Sequence, residues 1–475
     1  GEFGADTWPE ESRKTAGGAN SWAGIAIDHE RGIAFAPTGS ATFDFYGGDR
    51  AGDNLFANSL LALDAATGKR LWHYQFVRHD LWDRDLPSPP NLITLRRNGE
   101  SIPAVAQATK TGHIFVFHRE TGQPLFPIEE VPVMGEALPE EHAAETQPLP
   151  LLPPPFVAQV FLPTDRDTEM TAAVVARQKR LDPHATFRLP SLNGTILYPG
   201  MDGGAEWGGA AYDAEPNRLY INSNEVPYLL GMTAIEGDLQ MGPKFAYLMV
   251  CSGCHGADMK GDGVSVPSLQ NLSERLSPLE AYRVLKQGRG RMPAFDTMTW
   301  YEIAAVLWHV YQGEGNVNAL NTTANDKVAN AAGANYINAG YQKFLDPDGL
   351  PASRPPWGAL TAIDLDTATI AWRIPFGDYP KLLEQGISGL GSENYGGPIV
   401  TASGLLFIAA TPDRKLKAYD TRNSELLWSV ELPAAGFATP ATYAANGRQF
   451  VVIAAGGGKL GEPSDSEYIA YALPK

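Results

Sequence analysis

The sequence predicts an all-β chain built as a β-propeller and interrupted by one small all-α insert. Three observations lead there. Gly 49 and Pro 37 make up about a fifth of the 475 residues, and with 10% aromatics this composition suits many short strands joined by tight turns. Four segments repeat one strand–turn–strand pattern with an aromatic at a fixed position. A single stretch, from Gly242 to Gly313, switches to helical periodicity.

The four copies are LLALDAATGKRLW, VFHRETGQPLF, LTAIDLDTATIAW and LKAYDTRNSELLW. Each sets an aromatic eight positions after an Asp or His: Asp64 and Trp72, His118 and Phe126, Asp364 and Trp372, Asp420 and Trp428. Between them lie alternating apolar runs such as GLLFIAAT and RQFVVIAAG, the pattern of half-buried antiparallel strands. A unit of this kind returning along a chain marks propeller blades, each of which buries its faces against its neighbours. The alternative is a two-sheet sandwich with chance similarity, and four matches at one spacing argue against it. Long insertions make the period irregular.

In the insert, GPKFAYLMV leads into CSGCHG, SPLEAYRVLKQG carries apolar residues at helical spacing, and WYEIAAVLWHVYQG reads as a strong amphipathic helix. An Ala/Asn-rich stretch, NALNTTANDKVANAAGAN, reads as the linker back to the propeller. The expected organisation is residues 1–241 as the first part of the propeller, 242–313 as the helical domain, and 314–475 as linker and last blades.

Charge narrows the function classes. A net charge of -17 argues against a nucleic-acid partner, which would need clustered Lys and Arg. No run of 18 apolar residues occurs, so no membrane span is expected in this chain.

The insert holds both cysteines of the chain, Cys251 and Cys254, followed directly by His255. Two thiols one helical turn apart can form thioethers to the vinyl groups of a haem, and the histidine then ligates the iron. A thioredoxin-like redox pair would need a βαβ setting that this region lacks, and a disulfide over so short a loop would stabilise little. A soft sixth ligand should follow on a loop. Met292, in GRGRMPAF ahead of the last helix, fits best, with Met298 and Met259 as rivals and core filling as the plain alternative. Residues 242 to 313 resemble a small class I cytochrome c. Covalent haem attachment implies an exported, periplasmic protein.

A second dense stretch is WHYQFVRHDLWDRDLPSPP, Trp72 to Pro90, which follows a blade motif. Asp80, Asp83 and Asp85 crowd beside His79 and Trp82, and such like charges repel unless a cation or proton lies among them. From these residues alone, a metal or general-base site and a solvated acidic loop stand about even.

The combination of TGKRLWHYQFVRHDLWDRDLPSPPNL, AQATKTGHIFVFHRETG, GGAEWGGAAYDAEPNRLYINSNE and GGPIVTASGLLFIAATPDRKLKAYD resembles the pyrroloquinoline-quinone-dependent dehydrogenases, especially the membrane-bound glucose dehydrogenase branch. The resemblance covers nearly all the chain outside the insert. It implies an eight-bladed propeller that holds the quinone and a Ca2+ or lanthanide ion near its axis and oxidises alcohols or aldoses. It also implies site roles: Asp83 as the general base, Lys110 in ATKTG against the quinone oxygens, Trp22 in GANSWAGIAID as the stacking platform, and Asn222 in INSNE as an amide contact. Read without the resemblance, the lysine and asparagine are turn residues and the tryptophan is blade core.

Two departures from the family pattern stand out. Ser40, in PTGS, occupies the position of an asparagine metal ligand, and Asp85 could compensate for it. The chain also begins where the family would be several blades in, so the expected glutamate ligand lies upstream, and a longer protein or another polypeptide is expected to complete the ring. The reading is a quinohaemoprotein dehydrogenase that passes electrons from a small alcohol or sugar through haem c to a downstream acceptor, a cytochrome or the quinone pool. The rival is a non-catalytic propeller that binds a partner while the cytochrome relays electrons.

Overall fold

The structure, a computed structural model, describes residues 2–234, 243–256, 258–261, 266–289, 292, 294–295, 298, 300–312, 336–338 and 340–473. Among the described residues, five of the eight antiparallel sheets follow one another along the chain as blades. They comprise Ala26–Asp28, Ile33–Pro37, Ser59–Asp64 and Arg70–Gln75; Asn91–Arg97, Glu100–Ala108 and Ile114–His118; Ala210–Asp213, Arg218–Asn224, Gly358–Asp364 and Thr369–Pro375; Ile399–Val400, Leu405–Ile408, Lys415–Asp420 and Leu426–Glu431; and Ala441–Ala445, Arg448–Ala455 and Glu467–Tyr471. The first strands of the first four sheets neighbour one another in turn, as successive blades of a propeller do.

The repeated Asp and Trp have separate tasks. Asp64 Oδ1 accepts from the Thr67 backbone N at 2.8 Å and from its hydroxyl at 2.7 Å, and Asp364 Oδ1 accepts from both Thr367 donors at 3.0 Å. The carboxylate thus closes the hairpin turn by an Asx-type bond. The tryptophan then ties one blade to the next: Trp72 Nε1 donates to Arg119 O at 3.0 Å and Trp372 Nε1 to Thr421 O at 3.0 Å. Both acceptors lie one residue past the turn-opening position of the following copy, so the spacing of eight is set by inter-blade contact. Each four-stranded copy also shifts register just before the turn, at Ala62/Leu63, Ala362/Ile363 and Ala418/Tyr419, which adds local twist.

The insert leaves the third blade after Arg218–Asn224 and the chain returns to it at Gly358–Asp364. Helices Pro243–Val250, Ser252–His255, Pro278–Gln287 and Trp300–Gln312 surround an apolar cluster that includes Tyr247, Cys251, Leu285, Ile303, Val306 and Val310. SPLE opens its helix as a capping box: Ser277 N donates to Glu280 Oε2 at 2.9 Å, and Glu280 N to Ser277 Oγ at 3.4 Å. Gly242, Gly313 and the Ala/Asn-rich linker lie outside the described residues. A two-stranded ribbon, Met232–Ala234 with Tyr336–Asn338, flanks the insert on the propeller side.

Candidate active site and haem-attachment turn

The acidic loop divides into residues that hold it and residues that it presents. Asp80 is buried and is the knot of the loop. Its Oδ1 accepts from Trp82 N at 2.9 Å; its Oδ2 accepts from Arg84 N at 2.6 Å, Asn58 Nδ2 at 2.8 Å and Ser40 Oγ at 2.5 Å. His79 bridges Gly52 O at 2.8 Å and Glu141 Oε1 at 2.6 Å. Trp82 Nε1 and the Arg84 guanidinium bind the carbonyls of Arg188, Pro199 and Gly200. Several buried hydrogen bonds converging on one loop fix its backbone. That rigidity maintains Asp83 at φ 57°, a left-handed conformation uncommon for a non-glycine residue and worth attention when it falls in a candidate site.

From there Asp83 Oδ2 lies 3.2 Å from Lys110 Nζ, with 16% and 9% of the two side chains exposed. Lys110 comes from the turn between Glu100–Ala108 and Ile114–His118. A Cβ on Gly203 would stand 2.3 Å from Lys110 Cγ, so only glycine lets the two segments approach this closely. Burial alone would lower the Lys110 pKa, but Asp83, Asp85 and Glu206 outweigh it and raise it. The ammonium therefore stays charged. Desolvation pushes the Asp83 carboxyl well above the usual carboxylate range, and Asp85 and Asp44 add to the rise while Lys110 opposes it.

Asp85 behaves differently. Burial would raise it, yet Lys110 and hydrogen bonds from Ser40 and Trp22 outweigh that and hold it below its ordinary value. Its Oδ1 accepts from Ser40 N at 2.5 Å and its Oδ2 from Trp22 Nε1 at 2.8 Å. Trp22, 43% exposed, thus has its edge fixed by a carboxylate while much of its ring stays open to a ligand. The Ser40 hydroxyl is engaged by Asp80. Asn222 stands apart from this group: its Nδ2 donates to Asn394 Oδ1 at 2.6 Å and Gly396 O at 3.0 Å, closing one blade on the next.

Asp44 completes the cluster and was not among the residues singled out from sequence, although it lies only four positions after Ser40. Desolvation, then Asp80 and Asp85, push its carboxyl up to about 6. Among the described residues no three His, Cys, Asp or Glu side chains gather as a preformed metal cage. The donor type still fits a hard cation: Asp44, Asp83 and Asp85 are all carboxylates, and their mutual repulsion in a buried site would be relieved by one. The open indole face of Trp22 beside a buried ammonium equally fits a planar, anionic quinone.

In the insert Cys251 is buried and Cys254 exposed, and the two thiols are not joined as a disulfide. His255 Nδ1 lies 2.9 Å from Pro267 O. With the proton on Nδ1 that bond sets the tautomer and leaves the Nε2 lone pair for iron, the usual support of a metal-ligating imidazole. Met292 sits on the loop between the last two helices, where its backbone exchanges hydrogen bonds with Arg289 at 3.0 and 3.1 Å. Met259, Met292 and Met298 all pack against the same apolar cluster. The residues fit a haem: two thiols, a supported imidazole and thioether side chains around an apolar core.

The chain matches the glucose/ethanol/alcohol dehydrogenase β-propeller domain over residues 1–253 and 294–451. It belongs to that pyrroloquinoline-quinone family. Residues 242–331 match the family of the cbb3-type cytochrome c oxidase subunit III, which gives the insert a cytochrome domain. The chain is 31% identical over 476 residues to quinoprotein glucose dehydrogenase A of Acinetobacter calcoaceticus, covering 96% of this chain and 49% of that protein. It is 32% identical over 485 residues to the quinoprotein glucose dehydrogenase of Escherichia coli, covering 98% and 50%. It therefore spans about half the length of these curated relatives. Among solved structures it shares the fold of the quinohaemoprotein alcohol dehydrogenase from Comamonas testosteroni, with a TM-score of 0.53 at 19% identity over 95% of this chain and 47% of that one. A europium-containing methanol dehydrogenase aligns with a TM-score of 0.51 at 17% identity over 95% and 54%. Pyrroloquinoline quinone and haem c are the cofactors that this combination of domains calls for. Among the described residues no helix is long and apolar enough to cross a membrane.

Proposed function

We propose that the protein is a quinohaemoprotein dehydrogenase that oxidises an alcohol or aldose and passes the electrons singly through haem c to an external cytochrome or quinone. The observation that carries this reading is the Asp83–Lys110 pair at 3.2 Å, set on a rigid loop beside an open tryptophan face. Bound quinone would supply a two-electron acceptor and the ion a Lewis acid that polarises it. Trp22, Lys110 and Asn222 are the proposed quinone contacts; Asp83, Asp85, Ser40 and Asp44 are the proposed surroundings of the ion. Both Ser40 oxygens are already engaged, the hydroxyl by Asp80 and the carbonyl by Ala19 N at 2.7 Å, so either would reach an ion only through a remaining lone pair.

Asp83 is the general base. A carboxyl raised above its ordinary range has a larger appetite for the proton of a substrate hydroxyl, and its own backbone strain is sustained by the Asp80 knot. Lys110 keeps a positive charge where negative charge gathers on reduction, in a site too buried for water to screen it. Cys251 and Cys254 hold the haem, and His255 with Met292 ligate its iron. Covalent haem places maturation outside the cytoplasm, and the periplasm is the proposed location.

Asp83→Asn retains the shape but not the proton acceptor, so turnover with an artificial acceptor should fall about a hundredfold to ten-thousandfold. Quinone binding, followed by quenching of tryptophan fluorescence, should persist. Near-normal turnover of Asp83→Asn would overturn the assignment. A panel of alcohols and aldoses on the parent protein identifies the substrate class.

A further inference from the structure

The segment after the insert touches both halves of the molecule, residue by residue. Tyr336 packs edge-on against Tyr46 at 5.2 Å between ring centroids, and Tyr341 against Phe45 at 5.7 Å. Phe45 and Tyr46 directly follow Asp44 in the acidic cluster. Ile337, between the two tyrosines, packs against the apolar cluster of the cytochrome domain. Tyr336–Asn338 is a strand, so neighbouring side chains must leave on opposite faces, and these two faces meet the two domains. Gly340 then lies against the haem-attachment turn itself: a Cβ there would stand 2.9 Å from Gly256 Cα and 3.0 Å from Ser252 O, at φ 116°. The Tyr341 phenol is raised well above its ordinary pKa chiefly by burial, and Asp83, Asp44, Cys254 and Asp85 add to the rise.

We propose that Tyr336, Ile337, Gly340 and Tyr341 form a clamp that docks the CSGCH turn against the Asp44–Tyr46 wall of the propeller site, with Tyr341 as the positioning residue between the two. The cytochrome domain is then a fixed electron acceptor for the propeller site, and no swinging motion is needed. This inference rests on the quinohaemoprotein reading above. With quinone and haem bound, oxidation of one hydroxyl would pass two electrons to the quinone and two protons by way of Asp83 and the quinone to solvent; the haem would supply a one-electron acceptor across the clamp, and the external one-electron acceptor would take each electron from it in turn. Tyr341 acts through its bulk and contacts, and its hydroxyl is not required.

The test uses the whole protein loaded with quinone, Ca2+ and haem, mixed rapidly with its substrate without oxygen while haem reduction is recorded. Turnover with a dye that accepts electrons from the propeller site is measured in parallel. Gly340→Val, which drives a branched side chain into the turn, and Tyr341→Ala should each slow substrate-driven haem reduction roughly tenfold or more, since small misplacements carry large kinetic penalties. Dye-linked turnover should stay near parent values, Tyr341→Phe should restore haem reduction, and hydrogen exchange of the peptide covering Ser252–Gly256 should rise in Gly340→Val. Unchanged haem reduction and exchange in both variants, with dye turnover intact, would overturn the clamp. A parent protein with no dye-linked turnover would instead overturn the quinohaemoprotein reading. If Gly340→Val does not fold, Tyr341→Ala against Tyr341→Phe decides: equal rates overturn the clamp.

Discussion

The propeller site is crowded with buried charge, whereas the haem-attachment turn faces an apolar cluster. Asp44, Asp80, Asp83 and Asp85 share their surroundings with Lys110, and two of these carboxyls are driven upward by burial and by one another. In the insert, the side chains around Cys251 are Tyr247, Leu272, Leu285, Ile303 and Val306. The difference teaches where each site gets its stability. A like-charged buried cluster is held by the rest of the fold and is relieved by a cation. An apolar cluster that buries one thiol beside an exposed second gains most from a large apolar group tethered to both.

Breaking the insert side should give the largest effect. Cys251→Ser combined with Cys254→Ser should abolish acid-stable haem, seen as loss of the haem band that survives acid-acetone extraction; haem that remains covalently bound would refute the attachment. On the propeller side, Asp44→Asn and Asp85→Asn should each weaken Ca2+ affinity by on the order of ten to a hundredfold, read from Trp22 fluorescence in a calcium titration. Unchanged affinity in both would move the ion elsewhere. Met292→Ala should retain the haem but lower its potential and admit external ligands, measured by redox titration against Met259→Ala and Met298→Ala. The variant that shifts potential most names the axial ligand.

The smallest effect concerns the buried support of Lys110. His113, three residues on, is pushed down to about 4 by burial. The unfolded chain then binds the extra proton between about pH 6.5 and 4, so this contribution is complete above pH 6.5 and lost as pH falls. The loss amounts to about 2 to 3 kcal/mol by pH 4.5. His113→Gln should reduce the acid-side loss of stability in urea unfolding by that order and leave stability near pH 7.5 less affected by titration. An identical pH profile for parent and variant would show that His113 does not titrate in this way.

The two sites were unequally legible in the sequence. CSGCHG is contiguous, so its chemistry and its helical setting can be read from six residues, and the structure adds the Pro267 carbonyl behind His255 and Gly340 against the turn. The propeller site is assembled from Trp22, Ser40, Asp44, Asp83, Asp85 and Lys110, which meet only after two blades have folded, and it came into view through resemblance. Proximity in the acidic loop could not tell Asp80, which knots the loop, from Asp83, which it presents; that depends on Asn58 and Ser40 reaching in from the connection between Ile33–Pro37 and Ser59–Asp64. Asp44 escaped attention because a lone aspartate among aromatics carries no motif. The blades were legible because the Asp turn and the Trp staple recur at one spacing. The clamp at Tyr336–Tyr341 has no sequence signature, since its partners lie almost 300 residues upstream and in the insert.

The central claim is that the propeller's carboxylate site and the insert's haem work in series. Substrate added anaerobically to the protein carrying quinone, Ca2+ and haem tests it most directly, with the haem absorption spectrum as the readout. The account predicts that the haem becomes ferrous only when quinone and ion are both present, and that Asp83→Asn blocks this while dithionite still reduces the haem. Haem reduction by substrate without quinone, or a haem that stays ferric while the dye is turned over, would contradict it.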